Sequence, residues 1–124
     1  MRGGLYKAAM AGDSGTVICI LEEELDPTKK RRSANHALGC AAWKGHLNTV
    51  RILCERGADT NYQNLDGKTA LMLAARWGWV EIVSQLLAFG ASTTVTDNEG
   101  KTALDYALLG GNENVIALIH RAVA

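Results

Sequence analysis

Residues in this chain recur at a fixed distance of 33. Gly67-Lys68-Thr69-Ala70-Leu71 returns one period later as Gly100-Lys101-Thr102-Ala103-Leu104, with Ala74 answered by Ala107 and Gly78 by Gly111. One period earlier stand His36-Ala37-Leu38, Ala41-Ala42, Gly45, Val50, Leu53 and Gly57-Ala58-Asp59. A further step back gives Leu5, Ala8-Ala9, Gly12, Val17 and Ile20-Leu21. Such copies make an array of repeats, each buried against its neighbours, rather than a fold with one centre. Within a copy, apolar residues fall at helical spacing twice. Leu71, Ala74 and Ala75 share one helix face, and Ile82, Val83, Leu86 and Leu87 share a face of a second helix. Gly78 separates the two helices and Gly90 closes the pair. Helices this short are not stable alone in water, so each pair needs the next.

The period and these motifs resemble the ankyrin repeat family. The match is closest over Gly67 to Ala91, and in register it extends over roughly residues 4 to 122. The family's Pro is replaced by Ala37, Ala70 and Ala103, and its His by Gly39, Met72 and Asp105. His36 stands where the other copies have Thr69 and Thr102, so hydrogen bonding must differ between repeats. The resemblance implies an all-α solenoid of stacked helix-turn-helix pairs joined by β-hairpin-like turns. It also implies a non-enzymatic, protein-binding scaffold.

The chain reads as one domain, 1–124, with repeats at about 1–30, 31–63, 64–96 and 97–124. The first repeat starts directly in a helix. Asp26-Pro27-Thr28-Lys29-Lys30-Arg31-Arg32-Ser33 is expected to end the second helix and form an exposed loop in place of a linking turn. First helices are expected at about 35–44 and 101–109, and second helices at about 16–24, 48–56 and 113–121. Gly57 and Gly90 read as helix-ending glycines. Asn64-Leu65-Asp66-Gly67 and Asp97-Asn98-Glu99-Gly100 read as turns at the tips of fingers. Repeat one can face solvent through Asp13, Glu22, Glu23 and Glu24, whereas repeat four offers Ile116, Leu118, Ile119 and Val123. That apolar end is expected of a chain cut from a longer protein.

Thirteen Lys and Arg balance thirteen Asp and Glu, so no global charge steers the chain to nucleic acid or membrane. There is no apolar run of about 18 residues and no signal-peptide pattern, which predicts an intracellular protein, cytoplasmic or nuclear. Monomer is the expected state. Cys19, Cys40 and Cys54 are odd in number and widely spaced, without the close pairs of a zinc site. They read as small apolar core residues. His36 and Cys40 lie at an i, i+4 spacing, but nucleophilic catalysis needs an orienting group and an oxyanion site as well. Neither enzyme activity, nor a cofactor, nor a metal is expected. The run Lys29-Lys30-Arg31-Arg32 reads first as a solvated segment, and more sharply as a nuclear import signal or a phosphate contact.

Binding is the expected function. The resemblance implies a concave groove lined by finger tips and by the exposed sides of first helices. The positions it points to include Arg32, Ser33, Asn35, Trp43 and Lys44, then Leu65, Asp66, Lys68, Arg76 and Trp77, then Asn98, Glu99, Lys101, Leu109 and Gly110. Five of these are basic and two acidic, on a neutral chain. Trp43 and Trp77 are among them and Trp79 lies beside them. Exposed aromatics next to cations are the usual composition of an interface anchor. The expected partner is therefore a protein segment that is acidic or carries an apolar anchor. Two readings compete: a nucleotide or single-stranded RNA stacked on Trp43 or Trp77, and a structural spacer in a larger protein.

Overall fold

A computed structural model describes residues 4–123. Among them eight helices and no strand are found. They are α1 (Gly4–Ala11), α2 (Ser14–Glu23), α3 (Pro27–Lys44), α4 (Leu47–Glu55), α5 (Ala70–Trp77), α6 (Val80–Ala88), α7 (Ala103–Gly110) and α8 (Glu113–Val123). Consecutive helices pack as pairs, and the pairs stack. The inner row is α1 on α3 on α5 on α7, and the outer row is α2 on α4 on α6 on α8. The chain is an all-helical solenoid of the expected kind.

The register explains the stacking. Ala41, Ala74 and Ala107 are fully buried at equivalent inner positions, where a methyl group lets two helices approach closely. On the outer row Val17, Val50 and Val83 are fully buried in turn, as are Leu53, Leu86 and Ile119. Leu71 and Ala74 are buried as the periodicity requires, and Leu87 is half-buried against the core. Cys54 is buried and Cys40 half-buried, but Cys19 is exposed, because its position on α2 turns away from α4. The apolar expectation fails for that one thiol.

The largest departure lies between the first two repeats. The segment expected as a loop is the first part of α3. Pro27 takes the first helical position, where its missing N–H is no loss, and Asp26 accepts the N–H groups of Thr28 at 2.9 Å and Lys29 at 3.4 Å. Asp26-Pro27 is thus a helix start, not the end of α2, which stops at Glu23. Lys and Arg are good helix formers, and successive side chains splay around the axis, so four adjacent cations are tolerated there.

This extension accounts for His36. In repeats three and four the helix begins after a Thr whose hydroxyl caps it: Thr69 accepts from the Met72 N–H, and Thr102 forms a reciprocal cap with Asp105. In repeat two the same position sits inside α3, where no cap is needed. His36 therefore stands inside a helix, unlike Thr69 and Thr102 at their helix starts.

Candidate binding groove

The α3 side of the concave face is set by helical periodicity. Asn35, Gly39 and Trp43 recur every four residues and all line a groove of about 410 Å³. Ala70 and Leu73 of α5 form the opposite apolar wall, and Asp59, Tyr62, Asn64, Asp66 and Lys68 of the connecting finger supply the polar edge. Asn35 also fixes the finger to α3: its side-chain carbonyl accepts the Asp59 N–H at 2.6 Å, and the residue is buried.

Each finger is organised by one side chain at its base. The Asn64 side-chain oxygen accepts the N–H groups of Asp66 and Lys68, both at 2.9 Å. One period later the buried Asp97 carboxylate does the same for Glu99 and Lys101, both at 2.9 Å, and accepts a short hydrogen bond from the Tyr106 hydroxyl. That hydroxyl, before the backbone donors, holds the Asp97 carboxyl below its ordinary pKa, and the Tyr106 phenol is pushed up to about 12 by the same bond. The fingers are tied to each other. Asn98 donates its backbone N–H to the Asp66 carbonyl at 3.0 Å and its side-chain N–H to the Leu65 carbonyl at 2.8 Å. Gln63 donates to the carbonyls of Gly67 and Thr96, each at 2.9 Å. The expected turns at 64–67 and 97–100 are both present, closed by Gly67 N–H to Asn64 and Gly100 N–H to Asp97.

The tryptophans divide in two kinds. Trp43 is 42% and Trp77 54% exposed, and each carries the cation of its sequence neighbour: Lys44 Nζ lies 4.8 Å from the Trp43 ring centre, and the Arg76 guanidinium 5.1 Å from that of Trp77. Both tryptophan–cation pairs thus lie within one repeat. Trp79 reaches back instead. Its indole N–H donates to the Trp43 carbonyl at 3.1 Å, and its ring lies over Gly45, where an added Cβ would come within 2.7 Å of it. His46 one period earlier makes the same reach to the Met10 carbonyl at 2.8 Å, and Asn112 one period later reaches the Gly78 carbonyl at 3.4 Å. This is a repeat-to-repeat clasp.

Of the residues expected at the site, Trp43, Asp66 and Lys68 line the groove together. Leu65 stands at the finger tip, 99% exposed, and Asn98 joins the fingers. Arg76, Trp77, Glu99 and Leu109 lie outside the groove lining, while Lys101 and Lys68 approach the Tyr106 ring at 5.9 and 5.7 Å. Lys29, Lys30, Arg31 and Arg32 stand on the first turns of α3. Sequence reasoning missed Tyr62 and Leu73 in the groove lining, and Tyr106 at the base of the second finger. Two of them were findable: Cys40, Leu73 and Tyr106 are one period apart, immediately before the first Ala of each inner pair.

Little here resembles reaction chemistry. Cys40 Sγ is 3.9 Å from His36 Nε2, but burial pushes its thiol pKa up, and that of Cys54 to about 11, with Glu55 adding to burial there. A raised pKa keeps a thiol protonated and a poor nucleophile. Among the described residues no group of three or more His, Cys, Asp or Glu is placed to hold a metal ion. None of their helices is long and apolar enough to cross a membrane.

Stacked helix pairs with paired fingers and a groove along the inner row define a class of repeat proteins that present a concave face. The family described as ankyrin repeats in three copies matches residues 56–123, and that of the single ankyrin repeat matches 35–65. The chain belongs to the ankyrin repeat family, whose repeats generally serve as protein–protein interaction modules and are typically non-enzymatic. The matches leave α1 and α2 outside, although these helices stack on α3 and α4 as later pairs do. No curated protein matches the chain.

Proposed function

We propose that residues 1–124 act as one domain that holds a segment of another protein in the groove between α3, α5 and the 59–68 finger. The observation that carries this reading is the half-exposed Trp43 ring beside an apolar floor of Gly39, Ala70 and Leu73, faced by the polar edge of Asn64, Asp66 and Lys68. An apolar anchor of the partner would sit against Trp43 while the finger offers hydrogen bonds to its backbone. Because the Trp43 ring carries the Lys44 cation, an acidic residue beside an apolar one would meet both surfaces. The same cation argues against capture of a methylated lysine, since it repels a cationic tail.

The test is selection from a random twelve-residue peptide library displayed on phage, followed by affinity measurement on the selected peptides. Trp43→Ala is expected to weaken binding more than about tenfold, as loss of an aromatic anchor does. Arg51→Ala, exposed on α4, is expected to leave it unchanged. Normal binding by folded Trp43→Ala, or selection of no peptide, would reject the groove. A labelled single-stranded RNA bound more tightly than any peptide, with affinity falling steeply in salt, would favour the nucleic-acid reading instead.

A further inference from the structure

A second space borders the groove at Asn35. It is a cleft of about 380 Å³ lined by Pro27, Thr28, Arg31, Arg32, Asn35 and Tyr62. Asn35 and Tyr62 line both spaces, so the cleft and the groove adjoin. The same four-residue spacing that places Asn35, Gly39 and Trp43 along the groove places Arg31 in this cleft. The cleft exists because α3 begins at Pro27, where later repeats have a finger.

Its charge is one-sided. Arg31 and Arg32 are exposed, and the ion pair found among the described residues, Arg56 with Glu22 at 3.4 Å, involves neither. No carboxylate lines the cleft; Asp26 next to it turns its carboxylate onto the N–H groups of Thr28 and Lys29. Arg32 borders a second cleft as well, together with Lys29, Lys30 and the carboxylates Glu23 and Glu24, so Arg31 is the cation that lines the first cleft alone. Cations in the first turns of a helix also run against its dipole, so their position does nothing for α3 itself. A positive cleft adjoining a peptide groove is what an acidic stretch of a bound chain would complement.

We propose that the Arg31–Arg32 cleft is an acidic-residue subsite that fixes the direction in which a partner segment lies in the groove. The proposal rests on the groove reading above. Arg31 and Trp43 are about 12 residues apart on α3, roughly 18 Å. An extended chain covers that distance in about five to six residues. The bound segment therefore carries Asp or Glu about five residues from its apolar anchor, with the acidic end at Arg31 and Arg32.

The experiment repeats the twelve-residue library selection with the full chain and with the double variant Arg31→Gln/Arg32→Gln. Peptides selected by the unaltered chain are expected to show Asp or Glu about five residues from an apolar residue. The double variant should keep the apolar preference and lose the acidic one, and should bind the original peptides at least tenfold more weakly. Lys29→Gln/Lys30→Gln removes the same charge from the neighbouring cleft and is expected to cost less than threefold. Thermal unfolding of all variants checks that α3 is intact. Peptides with an apolar preference but no acidic one, or equal losses in the two double variants, would overturn the subsite and leave the groove standing. Selection of no peptide by the unaltered chain would overturn both. Preference for a phosphoserine over the selected Asp or Glu, or tighter binding of oligouridine lost with Arg31 and Arg32, would also reject an acidic protein stretch as the occupant.

Discussion

At the scale of single residues, contacts between repeats depend on a few side chains that reach across. Gly45 has φ +83°, and a Cβ there would strike the Trp79 ring. Gly45→Ala should therefore cost about 2 kcal/mol or more, combining left-handed backbone strain with displacement of the indole. Denaturant unfolding measures it, and a loss under about 0.5 kcal/mol would show that Trp79 does not hold this position. The Asp97–Tyr106 bond sets a pH window. Asp97 has a lowered folded pKa, so its contribution is complete above the unfolded value of about 4 and is lost as pH falls through the folded one. Tyr106 has a raised pKa, so its contribution is complete below about 10 and is lost as pH climbs towards about 12. Denaturation midpoints across pH should fall at both ends, and in Tyr106→Phe the alkaline loss should shrink. Neither residue's role was legible beforehand, because a base-of-finger carboxylate and a phenol nine residues on become partners only once the finger folds back.

At the scale of elements, the helix pairs were legible because period and face agree: Leu71, Ala74, Val83 and Leu86 are all buried as their spacing requires. The start of α3 was not, since Asp-Pro followed by four cations reads equally as a helix stop and a helix start. The Asp26 cap decides it. Asp26→Ala should cost about 1 kcal/mol and let the amides of residues 28–33 exchange faster, while Thr69 and the later repeats stay unchanged. The last pair, α7 and α8, is expected to open first. Leu108 is 58% exposed where its equivalents Ala42 and Ala75 are fully buried, and Ile116 is half-exposed where Val50 and Val83 are fully buried. Amides of residues 113–121 should exchange sooner than those of α4 and α6. Equal protection across the three outer helices would mean that the last pair is stable without a cover.

At the scale of the molecule, the groove is built from α3, α5 and the finger between them, so its lining residues, from Asn35 to Leu73, come from three different elements. That is why the lining of the proposed site was only partly legible. Trp43, Asp66 and Lys68 could be placed by the repeat register, whereas Tyr62 belongs to a finger with no equivalent before α3, and Trp79, 39% exposed, also donates its indole N–H to the Trp43 carbonyl. The central claim is that partners enter this groove. Its most direct test is the amide and indole NMR spectrum of the chain titrated with a library-selected peptide. Shifts should concentrate at Asn35, Gly39, Trp43, Asn64, Lys68 and Leu73, with the Trp43 indole N–H moving most and the outer helices α2, α4 and α6 silent. Shifts centred on those outer helices, with the Trp43 signal unmoved, would contradict it.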